Sequence, residues 1–299
     1  MSDYISIATC NLKDGGSPDL LALLRSLDVD LLLLQELKHH DEAADGGAER
    51  WRHALDALGM QGIRGRGPLP TGVLHRPGML MPGRRYTDPG TAWWLEPTAL
   101  QLRLHGTVVP IVAASAHLNY ASPTDREREA GSLTRYHDKR VNGLPGTDGR
   151  AITLPCLIGV DCNSYPHEPV AGDPRPPRLE EIRDKPHRAH RGRWTAGGEW
   201  VPDTEPDRIL RTAGLDDLAR SRALDADDRR GLAATVPGRP THGPETRIDR
   251  LYASPRLRTA LVEVDVIDTR GLSDHRIVRA RFSSRQLTAV LSNWIAWAA

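Results

Sequence analysis

The stretch Val29-Asp30-Leu31-Leu32-Leu33-Leu34 constrains the fold more than any other part of the chain. Neighbours in an extended chain point to opposite faces, so four successive leucines offer apolar side chains to both. Such a run belongs in a sheet that is covered on both sides. It stops abruptly at Gln35-Glu36. A second run of this kind, Leu154 to Val160, stops at Asp161-Cys162-Asn163-Ser164, and the alternating stretch Tyr4 to Cys10 stops at Asn11. Covered sheets gather the carboxyl ends of strands on one edge, and sites are built there. The chain therefore reads as α/β, with oxygen- and nitrogen-bearing side chains collected at strand ends.

The helices and remaining strands follow from periodicity and caps. Pro18 and Asp19 open a helix carrying Leu20, Leu23, Leu24 and Leu27. Glu49 to Leu58 places Trp51, Ala54, Leu55 and Leu58 on one face, and Ser122 caps a charged helix from Pro123 to about Tyr136. Gly62 to Pro70 reads as turn-rich, and Gly72 to Arg76 as a short strand. Thr98 to Leu104 and Val108 to Ala116 form a hairpin whose second arm runs into Ser115-Ala116-His117-Leu118-Asn119. Arg247 to Tyr252 is a strand whose buried face carries either Ile248, Arg250 and Tyr252 or Arg247, Asp249 and Leu251. A ladder through Val262, Val264, Val266 and Ile267 precedes the triplet Ser273-Asp274-His275, and Ile277 to Phe282 alternates again.

Between Tyr165 and Asp207 the texture changes to Pro, Arg, His and Gly, with Arg175, Arg178, Arg183, Lys185, Arg188, Arg191 and Arg193 crowded together. This reads as a long loop with at most a short helix at 179–182, either functional or a solvated insertion. Arg222 to Gly238 reads as a polar loop or irregular helix. Ser283 and Gln286 open a capping box, and Leu287, Val290, Leu291 and Trp294 share a face of the helix that follows. That helix docks on the body, or else meets a second copy or a membrane surface. The expected organisation is one domain over 1–282, with an Arg/Pro-rich insertion at 165–207 and an amphipathic helix at 283–299.

A formal charge of +1 gives no global drive towards nucleic acid, so any basic surface is local. Three cysteines, an odd number without Cys-x-x-Cys spacing, argue against a disulfide framework or zinc site. Strand parity turns Cys10 and Cys162 away from the site if Asn11, Asp161 and Asn163 face it. No apolar run approaches the about 20 residues needed to span a bilayer. The first strand starts almost at Met1, leaving no room for a signal segment, and the expected compartment is the cytoplasm.

Glu36, Asp161 and Asp274 supply oxygen donors, the preference of Mg²⁺ or Mn²⁺ and not of zinc. Asn11 and Asn163 supply carboxamides, and His117 and His275 supply imidazoles, a side chain whose protonation neighbours can adjust. A carboxylate at Asp249 is placed to orient a histidine. Together they describe metal-assisted attack of water on a phosphoester.

The order Asn11, Gln35-Glu36, Ser115-Ala116-His117-Leu118, Gly159-Val160-Asp161-Cys162-Asn163-Ser164, Arg247-Ile248-Asp249-Arg250, Leu272-Ser273-Asp274-His275 resembles the endonuclease/exonuclease/phosphatase, or DNase I-like, family. The resemblance runs from about Ile5 to Phe282 and leaves out the Arg-rich stretch and the tail. It implies a four-layered sandwich, two mixed sheets face to face with helices outside. It also implies roles. Glu36 is the main metal ligand, with Asn11 beside it and Asp274 near the ion. Asp161 positions or deprotonates the attacking water, and Asn163 holds a phosphate oxygen. His275 contacts the phosphate, oriented by Asp249. Either Asp161 or His275 is the base. His117 matches the DNase I and phosphatase branches, whereas abasic-site nucleases tend to carry a tyrosine near there. Asn119, Arg183, Lys185, Arg188 and Arg191 are the candidate substrate contacts.

The expected activity is a phosphatase or phosphodiesterase on a small phosphorylated molecule or nucleotide. A nuclease on DNA or RNA is the alternative, favoured by the basic stretch; aromatics that could stack bases are few, with Trp93, Trp94, Trp194 and Trp200 available. A non-catalytic binding protein on the same fold is the third reading; every expected catalytic position is filled, which counts against it.

Overall fold

The computed structural model describes residues 3–41, 44–87 and 93–298. The leucine run forms the strand Leu31–Gln35, parallel to Tyr4–Asn11 and in register, with Ile7 opposite Leu31 and Asn11 opposite Gln35. These two are central in a six-stranded mixed sheet, in the order Leu261–Ile267, Ile277–Ser283, Tyr4–Asn11, Leu31–Gln35, Gly72–His75, Gln61–Arg64. The second six-stranded sheet has the order Asp216–Asp217, Asp249–Ala253, Cys156–Asp161, Ile111–His117, Thr98–Leu104, Leu80–Tyr86. Its central pair, Cys156–Asp161 and Ile111–His117, is again parallel, with Asp161 opposite His117.

The two sheets pack face to face, and helices cover their outer sides. Ile5, Ile7, Leu31, Leu33 and Val73 belong to the apolar core shared with the second sheet. Ala8, Cys10, Leu32, Leu34 and Leu74 pack instead with Leu20, Leu24, Trp51 and Leu58 from the helices Pro18–Ser26 and Gly47–Leu58. This two-sided burial accounts for the uninterrupted leucines. On the other side lie the helices Pro123–Leu133, Glu205–Thr212 and Leu218–Ala226. The sheets approach closely at Gly159, where an added Cβ would sit 2.8 Å from Thr9 Cβ, Leu33 Cβ and Leu33 Cδ1. The C-terminal helix Ser284–Ala298 buries Leu287, Val290, Leu291 and Trp294, and the Trp294 indole donates to Thr153 O at 2.8 Å.

Several expectations need correction. Residues 165–207 are not a long loop. They form a 3-10 turn Leu179–Glu181, a helix Lys185–Arg191, a hairpin of Gly192–Trp194 with Trp200–Pro202, and the start of the helix Glu205–Thr212. Buried polar pairs replace an apolar stripe as the anchor. Arg126, fully buried, meets Asp203 at 2.8 Å and donates to His190 O. Arg247 pairs with Asp173 and Asp217, and the Tyr252 hydroxyl donates to Asp207 at 2.6 Å. Polar residues with buried partners leave no periodic signature, so pattern reading takes them for solvated loop. Arg222–Gly238, expected irregular, begins inside the helix Leu218–Ala226 and continues through a 3-10 turn Arg230–Leu232. The turn-rich stretch after Met60 begins as the edge strand Gln61–Arg64, and Leu80–Tyr86 is an edge strand that tolerates Pro82 at a bulge. Asp249–Ala253 has no exposed face at all: Asp249 and Leu251 lie on one side, Arg250 and Tyr252 on the other, all buried.

Candidate active site

Parallel central pairs carry all four of their carboxyl ends to one edge, and antiparallel neighbours start there. The parallel strands deliver Asn11, Gln35, His117 and Asp161. The antiparallel strand opposite Asp161 begins with Asp249, and the one opposite Tyr4–Asn11 begins at Ile277, just after His275.

Glu36 breaks the alternation. Gln35 faces the other sheet, its amide donating to Thr9 Oγ1 at 3.0 Å and Ser115 Oγ at 2.9 Å. Glu36 should then turn outward, but its backbone is left-handed, with φ 55°, and the carboxylate comes back to the inner side. There its Oε1 accepts from Asn11 Nδ2 at 3.0 Å. The same nitrogen donates to Asp161 Oδ2 at 3.1 Å, and Asn11 Oδ1 accepts from Lys13 N. One carboxamide thus holds two carboxylates together, although it stands 150 residues from one of them. His117 Nε2 lies 3.5 Å from Asp161 Oδ2 and 3.9 Å from Glu36 Oε1.

On the far side of Asp161 is a histidine–carboxylate pair. His275 Nδ1 lies 2.9 and 3.0 Å from the two Asp249 oxygens, and His275 Nε2 is 3.9 Å from Asp161 Oδ2. Thr235 Oγ1 accepts from the Ile248 and Asp249 amides, and Ser273 Oγ accepts from the His275 amide while donating to Asn11 O. Thr235 has no sequence signature; it lies in a stretch that reads as loop. Ser273 stands in the triplet with Asp274 and His275.

The charges follow from these neighbours. Burial disfavours a charge on His275, but Asp249 and then Asp161 outweigh it and push the imidazole up to about 10. Burial likewise opposes ionisation of Asp161, yet His117, His275 and Arg191 hold its carboxyl below the usual range. Asp249 is raised, chiefly by burial. Burial also pushes the Cys162 thiol up to about 12, and Cys10 and Cys156 are fully buried as well.

Other candidates stand further out. Asp274 Oδ2 meets Arg239 at 3.4 Å. Asn163, with φ 49°, donates Nδ2 to Leu118 O at 2.9 Å, and its own carbonyl accepts from Arg191. Asn119 Oδ1 accepts from the Ala121 and Ser122 amides, so its oxygen is engaged in the turn. Arg188 donates Nε to Ile182 O, whereas Arg183 and Lys185 are exposed. A cleft of about 190 Å³ borders His275, Asp274 and Arg191; two roomier clefts of about 410 Å³ touch none of the site residues.

The donors suit a hard divalent cation. Glu36, partly exposed, offers carboxylate oxygen beside Asp161, and a cation would offset carboxylates held this close. Asp161, Asp249 and His275 also place one ligand atom each within 4.8 Å. Asp249, however, is committed to His275 and Thr235, so the Glu36 side is the better seat.

The chain resembles several solved structures, all at low identity. A humanised D. rerio TDP2 aligns with TM-score 0.56 and 13% identity over 95% of this chain and 100% of that one. An AP endonuclease from Archaeoglobus fulgidus gives 0.58 and 14% over 93% and 99%. A mannosyl-6-phosphatase from Bacteroides thetaiotaomicron gives 0.55 and 14% over 92% and 98%. These likenesses show the fold alone. Comparison with the curated proteins found no match. The family model for the Endonuclease/Exonuclease/phosphatase family matches residues 8–275, and so takes in every candidate from Asn11 to His275. The chain belongs to the endonuclease/exonuclease/phosphatase family.

Proposed function

We propose that this chain is a Mg²⁺- or Mn²⁺-dependent hydrolase of phosphoesters on a small phosphorylated molecule or nucleotide. The observation that carries the reading is Asp161, held ionised between the Asn11–Glu36 pair and the His275–Asp249 pair. Glu36 would hold the ion, with Asn11 beside it and Asp274, paired with Arg239, further out. Bound there, the ion offsets negative charge on the phosphoryl group and acidifies water. Asp161, a carboxylate at neutral pH, accepts the proton of the attacking water as its oxygen bonds to phosphorus. His275, protonated at neutral pH, donates from Nε2 to the phosphoryl oxygens, while Asp249 keeps Nδ1 engaged. The P–O bond to the leaving group breaks, and the departing oxygen takes a proton from His275 or solvent. Asn163 has a second amide hydrogen for a phosphoryl oxygen. This arrangement favours Asp161 over His275 as base.

The substrate size is read from the insertion. Its arginines are largely committed: Arg175 and Arg178 to Glu181, Arg193 to Glu205 and Glu127. A surface that tracks a polyanion needs an extended row of free cations; here Arg188 and Arg191 turn inward to Ile182 O and Asn163 O, and the exposed pair Arg183 and Lys185 makes a poor track. One observation favours a nuclease instead. Trp194, 65% exposed against Trp200, and Tyr120, 51% exposed beside His190, offer rings on which bases could stack.

The test is a panel of mononucleotides, sugar phosphates, inositol phosphates, DNA and RNA, with Mg²⁺ and with chelator. The expected result is chelator-sensitive phosphate release from a compact ester, and weak polymer binding with a shallow salt dependence. Polymer binding that falls with a log–log slope of several times roughly 0.7–0.9 would favour the nuclease. No hydrolysis of any member would refute the enzymatic reading.

A further inference from the structure

The cleft that opens from His275 is walled by two segments. One is the helix Lys185–Arg191, carrying His187 and Arg191; the other is the tight turn between Arg239 and Gly243, carrying Arg239 and His242. They are tied together by Asp184 N donating to Thr241 O at 3.0 Å. The His187 and His242 rings lie 4.1 Å apart, centre to centre, and Arg191 Nε is 3.5 Å from His187 Nε2. Val236, Pro237 and Ile248 give the cleft apolar lining.

Basic groups outnumber carboxylates in this lining. Two guanidinium groups and three imidazoles, His275 among them, share one small cleft with Asp274 as its carboxylate, and that meets Arg239 at 3.4 Å. Elsewhere this fold neutralises such groups closely, as in the buried pairs of Arg126 with Asp203 and Arg247 with Asp173. Burial, then repulsion by Arg191 and His242, pushes His187 down to about 3, so at neutral pH the ring is uncharged and accepts from Arg191 Nε. A compact oxyanion would pair with the two guanidinium groups and favour protonated imidazoles beside it.

We propose that this cleft is a specificity subsite for a second compact oxyanion, phosphate or carboxylate, carried by the part of the substrate beyond the scissile phosphoryl group. The inference rests on the phosphoester-hydrolase reading, and deepens it. The Arg-rich insertion then discriminates among small substrates; it does not track a polymer.

The experiment compares matched substrates: adenosine 5′-phosphate with adenosine 3′,5′-bisphosphate, and glycerol 3-phosphate with 3-phosphoglycerate. The first pair adds a phosphate and the second a carboxylate. The wild type should prefer the doubly anionic member of at least one pair by tenfold or more in kcat/KM, mostly through KM. The double variant His187→Ala/His242→Ala, and separately Arg239→Gln, should erase that preference while leaving the singly anionic substrate within threefold. Absence of preference in the wild type, or equal losses on both members, overturns the subsite. Calorimetric titration with inorganic pyrophosphate, without metal, separates this from the catalytic reading. If no ester is hydrolysed, yet the wild type binds pyrophosphate and the double variant binds it at least tenfold more weakly, the catalytic reading fails and the anion subsite stands. Pyrophosphate binding that is absent, or equal in both proteins, overturns the subsite.

Discussion

Replacing Asp249 with Asn tests how the site sets the charge of its histidine. The carboxylate lies 2.9–3.0 Å from His275 Nδ1, and an amide of the same shape preserves the packing. The imidazole stands at about 10 instead of 6.5, a preference for the protonated form of roughly 5 kcal/mol. Asp161 supplies part of it, so the variant should lower the imidazole only part of the way back, and loss of the carboxylate that orients the ring should cost roughly 10–100-fold in kcat/KM. His275→Ala should cost a similar factor. The double variant should be little worse than either single one, because both changes disable one unit. Stability supplies a second readout. The folded-state pKa lies above 6.5, so protonated His275 stabilises the fold fully below about pH 6.5, and the contribution fades as pH rises through about 10. Urea midpoints should therefore separate wild type from Asp249→Asn most at pH 6, and the gap should close or reverse by pH 10. Losses that multiply in the double variant, with a gap indifferent to pH, would refute the coupling.

Glu36→Gln should weaken calorimetric Mn²⁺ binding at least tenfold and abolish hydrolysis with little change in melting temperature; retained affinity would remove Glu36 from the ion site. Asp203→Ala strands the fully buried Arg126 and should cost about 3–5 kcal/mol, read as a lower urea midpoint and faster proteolysis within residues 165–207. Gly159→Val drives a branched side chain against Thr9 and Leu33 and should destabilise by about 1–3 kcal/mol, again by urea midpoint. Arg191→Ala should slow turnover of every substrate, because Arg191 holds the Asn163 carbonyl and helps keep Asp161 ionised; Arg183→Ala with Lys185→Ala should leave turnover of small esters unchanged.

Local pattern carried the layers and the strand ends. Leu31–Leu34 demanded cover on both faces, and received it from the opposite sheet and from two helices. Asn11, Glu36, His117, Asp161 and His275 stood where apolar runs break or begin; parallel pairing brought the first four to one edge, where the antiparallel strand after His275 starts. Caps marked the helices because they are local: Ser17 and Ser122 each accept from an amide three residues on. Apolar periodicity reports which side of an element is buried, but it does not report what lies against that side.

The tertiary structure decided the rest. A left-handed backbone at one residue returned Glu36 to the inner face, against the strand's parity. Both faces of Asp249–Ala253 proved buried, so the two alternatives read from its pattern were each half of the answer. Residues 165–207 fold because Arg126 finds Asp203 across 77 residues and Tyr252 finds Asp207 across 45. The subsite beside His275 joins a helix to a turn about 50 residues later. Burial of apolar surface is a property of each residue and its near neighbours, so it is written in the sequence. Hydrogen bonds and ion pairs depend on two partners at fixed distance and angle, and only the closed fold brings those partners together.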